Sequence, residues 1–225
     1  MDKELAYKLA KENQIDVTQI EREEWEMKIL KEIFESDLGK SIYFKGGTAL
    51  RLAYNSPRYS DDLDFTLIKR ISKRFWENML KSITKKFLGV KISDQKDKFY
   101  TYLGELKIKE EYLPLSFSIK IEISKRIKTK YKYSLKLLAS KTTNIQVLAQ
   151  VENLEEIKKE KKLALASRNL PRDLFDLWFI AQKIKQPMDK NLKKIDKKFL
   201  RQELNKYLPK NYYPVVQEVV NKYGK

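Results

Sequence analysis

Apolar and polar positions recur along this chain first at a helical period, then at a strand period, then at a helical period again. Residues 3 to 37 read as helices: in EREEWEMKILKEIFESDL, Trp25, Ile29, Leu30 and Ile33 fall near the helical period. Tyr43 and Phe44 open a strand that runs into a glycine turn, and residues 49 to 54 are helical. Leu63 to Ile68 reads as a strand and Phe75 to Phe87 as a helix, with strands near 99 to 109 and 116 to 123. From about 145 onward the pattern predicts helices to the end, with breaks near Pro171, Pro187, Pro209 and Pro214. The chain has no repeats, no low-complexity linker and no Ser/Gly-rich boundary. The expected architecture is α+β: a core of mixed sheet and helices over residues 1–140, and a helical region over 141–225 packed closely on it.

Candidate chemistry concentrates in one run, Phe44 to Phe65, FKGGTALRLAYNSPRYSDDLDF. Gly46 and Gly47 are followed, after fourteen intervening residues, by Asp62 and Asp64. In an extended strand both carboxylates project to one face while Leu63 and Phe65 turn into the core. Two carboxylates held together repel unless a cation sits between them, and Mg²⁺ is the usual hard-oxygen partner. A glycine pair lets a backbone turn come close to phosphate, and the helix TALRLAY behind it favours an anion at its N-terminus. Phosphate at one end and metal at the other is the layout of a nucleoside-triphosphate site.

The run resembles the nucleotidyltransferase superfamily, with its glycine turn, helix and Asp-x-Asp strand. More closely it resembles the AbiEii/AbiGii toxin family of type IV toxin–antitoxin systems, which reads roughly KGGTALRL…R(F/Y)S.DLDF. The match runs from Lys45 through Arg51 to Arg58, Ser60, Asp62 and Asp64. The resemblance implies a nucleotidyltransferase-fold core and a third acid on a neighbouring strand. In IKIEI, residues 119 to 123, the isoleucines face one side and Lys120 and Glu122 the other, which makes Glu122 that candidate. Three carboxylates fit the two-metal pattern that clamps the attacking and leaving oxygens of an in-line displacement.

A later block, EKKLALASRNLPRDLFDLWFI (160 to 180), is similar to the family's EKLRAL…R…RDLYDL motif. Aligned to it, the motif lysine falls on Lys161, where a one-residue slip would exchange it with Lys162, and the motif aspartates fall on Asp173 and Asp176. Pro171 suits the first turn of a helix, and Asp173 and Asp176, at i and i+3, share one of its faces. A lysine facing a triphosphate neutralises charge developing on the leaving phosphate, and either aspartate could orient that lysine or the attacking hydroxyl. Read without the family, the same aspartates are helix N-terminal charge, with Arg172 as an ion pair.

Composition narrows the chemistry. The chain has 225 residues, 42% hydrophobic and 12% aromatic, enough for a buried core. It has no cysteine and no histidine. Disulfides, thiolate zinc sites, imidazole bases and Ser-His or Cys-His nucleophiles are thereby excluded, leaving carboxylate, lysine, arginine and metal. The charged N-terminus and the absence of a long apolar window point to a cytoplasmic protein that does not enter membranes.

Net charge is +17, and residues 66 to 141 hold 20 Lys/Arg against 7 Asp/Glu. Within that window SKRIKTKYKYSLKLL, Ser124 to Leu138, interleaves Tyr131 and Tyr133 with Lys125, Arg126, Lys128 and Lys130. Such a stretch suits phosphate contact with aromatic stacking. The basic excess favours a polyanion such as RNA, or an acidic antitoxin.

The expected activity is therefore transfer of a nucleotide from an NTP, with Mg²⁺ or Mn²⁺ held by Asp62, Asp64 and Glu122. Gly46, Gly47, Thr48, Arg51, Ser60 and Lys161 are expected at the triphosphate, and Asp62, Asp64, Lys161, Asp173 and Asp176 at the chemistry. The resemblance implies RNA as acceptor, with the tRNA 3′ end as the best-attested target, a cognate antitoxin as partner, and a role in phage defence. The alternatives are a small-molecule nucleotidyltransferase of the antibiotic-modifying kind, and a nucleotide- or RNA-binding module without turnover.

Overall fold

A computed structural model describes residues 1–127, 132–189 and 192–225; Lys128, Lys130 and Tyr131 of the basic stretch lie outside the described residues. Its elements run α1 (Lys3–Asn13), α2 (Val17–Glu35), β1 (Ile42–Lys45), α3 (Gly46–Tyr54), β2 (Asp62–Leu67), α4 (Lys73–Lys86), β3 (Val90–Asp97), β4 (Thr101–Ile108), β5 (Phe117–Ser124), β6 (Tyr133–Ser140), β7 (Thr143–Glu152), α5 (Leu154–Arg168), α6 (Pro171–Lys183), α7 (Lys197–Tyr207) and α8 (Tyr213–Tyr223).

The strands form one mixed sheet in the order β3-β4-β5-β2-β1-β7-β6. β2 pairs in parallel with β5, and β1 with β7; the other neighbours are antiparallel. Period-two alternation divides the central strands cleanly. Phe44, Leu63, Phe65, Ile121 and Ile123 enter a core with Trp25, Ile29, Leu30 and Ile33 of α2 and Trp76, Leu80 and Ile83 of α4. The intervening positions Lys45, Asp62, Asp64, Lys120 and Glu122 lie on the opposite face of the sheet and are only partly buried.

A second core lies among the C-terminal helices, where Ile157, Leu165, Leu174, Phe175, Ile180, Leu200, Val219 and Val220 meet. Helix α3 joins the two. Its Ala49 and Leu52 belong to the sheet core, and its Leu50 to the helical one. The glycine turn and the helical region are thus tied by a single short helix.

Four stretches differ from the sequence reading, the first being Tyr133–Ser140, read as a basic stretch and found as strand β6. Residues 143 to 152 are a strand, not a helix, and the helical region begins at Leu154. The alternation of Val147, Ala149 and Val151 is visible in TNIQVLAQVE, but Gln, Leu and Ala favour helix and mask it; pairing with β6 and β1 settles the competition. The division expected at 140/141 consequently falls in the turn of the β6–β7 hairpin, inside the sheet. Strand β3 was not predicted, because VKISDQKD is polar; it is an edge strand with little to bury. Helix α3 starts at Gly46 itself rather than at residue 49.

Candidate active site

Two groups of acids face each other across the junction of sheet and helices. The first sits on β2. Asp64 pairs in register with Lys45 of β1 on one side and with Glu122 of β5 on the other, so three functional positions stand abreast. Asp62 is one step earlier, opposite Lys120. Burial, reinforced by the charge of Asp62, pushes the Asp64 carboxyl up to about 6. Burial also raises Asp62, against the opposing charges of Lys120 and Arg172. Both carboxyls therefore hold protons more tightly than a solvated carboxylate, which marks them as short of positive charge.

The glycine turn meets this pair directly. Gly46 has φ +81, and a Cβ there would lie 2.2 Å from Asp64 Oδ2. A Cβ on Gly47 would lie 2.3 Å from Arg58 Nη2 and 2.6 Å from Ser60 Oγ. The two glycines are needed for two reasons at once, a left-handed backbone at the first and close packing on functional side chains at both. Lys45, at the cap position of α3, gives the helix no side-chain hydrogen bond, so the first-turn amides of α3 have no side-chain cap. Ser60 is beside these amides. The Thr48 side chain is engaged with the strand: it is fully buried and its hydroxyl donates to the Asp62 carbonyl at 2.6 Å. It fixes the start of the Asp-x-Asp strand.

The second group belongs to α5 and α6. Lys161 Nζ lies 2.7 Å from Asp176 Oδ2 and 3.3 Å from Asp173 Oδ1. Arg58 donates to both carboxylate oxygens of Asp176, at 2.7 and 2.9 Å. Arg168 donates to both of Asp173, at 2.6 and 2.8 Å. Three cations thus serve two fully buried acids. Burial alone would raise Asp176; Arg58 and Lys161 outweigh it and hold the carboxyl at about 2. Lys161 is close enough to Asp64 to lower its proton affinity as well. Both aspartates hold the lysine, so neither is merely dipole-favoured charge. Lys162 points elsewhere, to Asp189 at 2.9 Å on the surface.

Arg51 is not brought to the acids. Its Nε donates to Glu23 at 2.6 Å, its Nη1 reaches the carbonyls of Ser56 and Pro57, and its guanidinium lies 3.7 Å over the Tyr59 ring. It braces the loop between α3 and β2. Four residues that the sequence reading gave no role do face the site. Lys45 contacts Glu160 at 2.8 Å, Lys120 contacts Glu122 at 2.6 Å, Arg58 underlies Gly47, and Arg172 lies 4.0 Å from Asp62. Lys45 and Arg58 stood inside the matched motif, and Lys120 shared the Glu122 face, so each had a signal.

The expected three-carboxylate metal cluster is corrected in one respect. Among the described residues, no three His, Cys, Asp or Glu side chains are grouped to hold a metal ion. Glu122 is turned to Lys120 instead. The Asp62–Asp64 pair fits a divalent cation by its donors and its deficit of positive charge.

Residues 28–218 match the family described as the nucleotidyl transferase AbiEii toxin of type IV toxin–antitoxin systems. The chain belongs to this family. Membership makes it a nucleotidyltransferase toxin, with an NTP as substrate and an antitoxin as partner. An uncharacterized protein of Aquifex aeolicus is 27% identical over 172 residues, covering 76% of this chain and 72% of the other. Among solved structures, JHP933 of Helicobacter pylori is similar with a TM-score of 0.61 and 22% identity, over 93% of this chain and 90% of that one. The nucleotidyltransferase toxin MenT4 of Mycobacterium tuberculosis is similar with a TM-score of 0.54 and 17% identity, over 80% of this chain and 61% of that one. These two likenesses concern the fold. Among the described residues no helix is long and apolar enough to cross a membrane.

Proposed function

We propose that this toxin transfers a nucleotide from an NTP to the 3′ end of an RNA, with tRNA as the target class the family implies, in a reaction that depends on Mg²⁺ or Mn²⁺. The observation that carries the reading is the contact of the glycine turn with Asp64: a Cβ on Gly46 would fall within 2.2 Å of its carboxylate. A turn suited to phosphate and a carboxylate pair suited to a cation thus share one spot. Asp62 and Asp64 would hold the cation. When bound, a divalent cation at this pair supplies Lewis-acid polarisation of the α-phosphate and neutralises charge on the leaving group.

The remaining work falls to the chain's own residues. The amides of Gly46 and Gly47, with Ser60, bind the triphosphate; Lys161, held by Asp173 and Asp176, meets its β and γ phosphates. An acceptor hydroxyl attacks the α-phosphorus, the bridge to the β-phosphate breaks, and pyrophosphate leaves. The acceptor's proton is released to solvent at the partly exposed sheet face that carries Asp62 and Glu122. RNA as acceptor is supported by the net charge of +17 and by the basic residues beyond β5.

The test is incubation of the protein with each α-labelled NTP, Mg²⁺ and total RNA. Label on tRNA-sized RNA with wild type, and none with Asp64→Asn, is the expected outcome. Label confined to a small metabolite would establish the antibiotic-type reading, and no transfer from any of the four NTPs would leave only a binding module.

A further inference from the structure

The turn between β3 and β4 carries Phe99 and Tyr100 at its tip, 84% and 52% exposed. Tight turns normally use Gly, Asn, Asp or Pro, which supply unusual backbone angles or hydrogen-bond their own main chain. Here the tip is Lys98-Phe99-Tyr100, with none of them, and the turn closes through Lys98 N–H donating to the Thr101 carbonyl at 2.9 Å. The two rings stand edge to face with centroids 4.5 Å apart. They pack edge to face outside the core, and the Phe99 ring is left almost wholly exposed.

Around them lies a pocket of about 360 Å³ lined by Leu67, Arg70, Ile71, Tyr102, Lys125 and Arg126 as well as the two rings. No carboxylate lines it. Arg126 lies 4.4 Å over the Tyr100 ring and Lys125 4.1 Å over the Tyr102 ring. Lys125 is further fixed by Asp97, the nearest acid, and its backbone N–H donates to the Tyr100 carbonyl at 2.9 Å. Cations are therefore parked on aromatic faces at the rim, with Phe99 open beside them.

We propose that this pocket is a docking site for a single-stranded stretch of nucleic acid, one base stacking on the open face of Phe99 with Tyr100 edge-on beside it, and its flanking phosphates meeting Arg70, Lys125 and Arg126. The chemistry selects the ligand. An aromatic platform interleaved with cations suits bases joined by phosphates, and a duplex hides its base faces. The location suits an acceptor strand: Arg126 follows Glu122 by four residues, or about 13 Å of extended chain. The proposal rests on the reading of the acceptor as RNA, and adds where its strand is gripped.

The measurement is fluorescence anisotropy of a labelled single-stranded 12-mer RNA, and of the same sequence as a duplex, with wild type and with Phe99→Ala/Tyr100→Ala. Both substituted side chains are exposed, so melting curves should be unchanged. The double variant should bind the single strand about tenfold to a hundredfold more weakly. It should raise the KM for RNA with little change in kcat, and bind NTP as wild type does. Arg126→Ala should flatten the salt dependence of binding, by a slope of about 0.7 for one phosphate on a single strand. Equal affinities of wild type and double variant for the single strand would overturn the docking site, while label transfer to RNA would still support the catalytic reading. Equal affinity of wild type for duplex and single strand would overturn it too. So would binding of an acidic polypeptide, but of no RNA, through the same two rings; the patch would then be a protein interface.

Discussion

Two aspartate pairs meet around one lysine, Lys161, which bonds Asp173 and Asp176 and whose charge reaches Asp64, and they are opposite in character. Asp62 and Asp64 on β2 have raised proton affinity, Asp64 reaching about 6, whereas Asp176 on α6 is held at about 2. Burial is the largest influence on Asp62, Asp64 and Asp176, so burial does not separate them. Compensation does. The helical pair is served by bidentate Arg58 and Arg168 with Lys161 between them. The strand pair has Arg172 at 4.0 Å from Asp62 and feels Lys120, Lys45 and Lys161 only as neighbouring charges; Lys120 and Lys45 are bonded to Glu122 and Glu160, and Lys161 to the helical pair. Acids that the chain neutralises by itself serve to hold a cation in place. Acids that it leaves short of charge are, on the proposed reading, the ones that take a cation from outside.

The sharpest way to break this comparison is to substitute one member of each pair. Asp176→Asn strands Arg58 and Lys161 in a buried site, which should cost about 3–5 kcal/mol and lower Tm by about 10 °C in a chain of this size. Asp64→Asn should do the reverse. It should abolish transfer yet leave the fold at least as stable as wild type. Thermal unfolding of the two variants side by side decides the matter; equal destabilisation would erase the distinction.

A smaller effect concerns the cation. Mg²⁺ with an NTP, at about a hundred times its Kd, should stabilise wild type by about 2.7 kcal/mol. The increment should disappear in Asp62→Asn and in Asp64→Asn alike, and together the two substitutions should do little more than either one. An unchanged shift in either variant would detach the metal from the strand pair.

The pH dependence of Asp64→Asn follows with its sign. In wild type the folded-state value is about 6, against about 4 for an ordinary carboxyl. Below pH 4 the group is protonated folded and unfolded alike and contributes nothing. Above pH 6 it is ionised at a cost to the folded state. Asp64→Asn should therefore gain stability at pH 8, by about 2.7 kcal/mol, and little near pH 4. Denaturant titrations at the two pH values measure it.

The smallest pair of effects sharpens the lysine assignment. Lys161→Ala should raise the KM for NTP and reduce kcat, because it removes charge opposite the phosphates and frees two buried acids. Lys162→Ala should change stability by about half a kcal/mol or less and leave kinetics alone, since its bond to Asp189 is exposed at both ends.

Much of this comparison was legible in the sequence. The Asp-x-Asp spacing on a strand put Asp62 and Asp64 on one face, the i, i+3 spacing after Pro171 did the same for Asp173 and Asp176, and the alternation of IKIEI put Glu122 on the polar face of its strand, where β2–β5 pairing sets it in register with Asp64. What stayed hidden was pairing across long separations. Nothing in the one-dimensional pattern says that Arg58 reaches Asp176, 118 residues away, or that Arg51 turns to Glu23 and not to phosphate. Strand β7 stayed hidden for the same reason, since its partners β1 and β6 and not its composition hold it extended. Glu122 shows the limit from the other side: its strand position was right, but its salt bridge to Lys120 follows from side-chain geometry alone.

The central claim is that the strand acids, and not the helical ones, take the cation. Calorimetric titration of a non-hydrolysable NTP into wild type and Asp64→Asn, each with and without Mg²⁺, tests it most directly. Wild type should bind at least tenfold more tightly with Mg²⁺, and Asp64→Asn should bind equally with and without it. A full Mg²⁺ enhancement retained in Asp64→Asn would contradict the account.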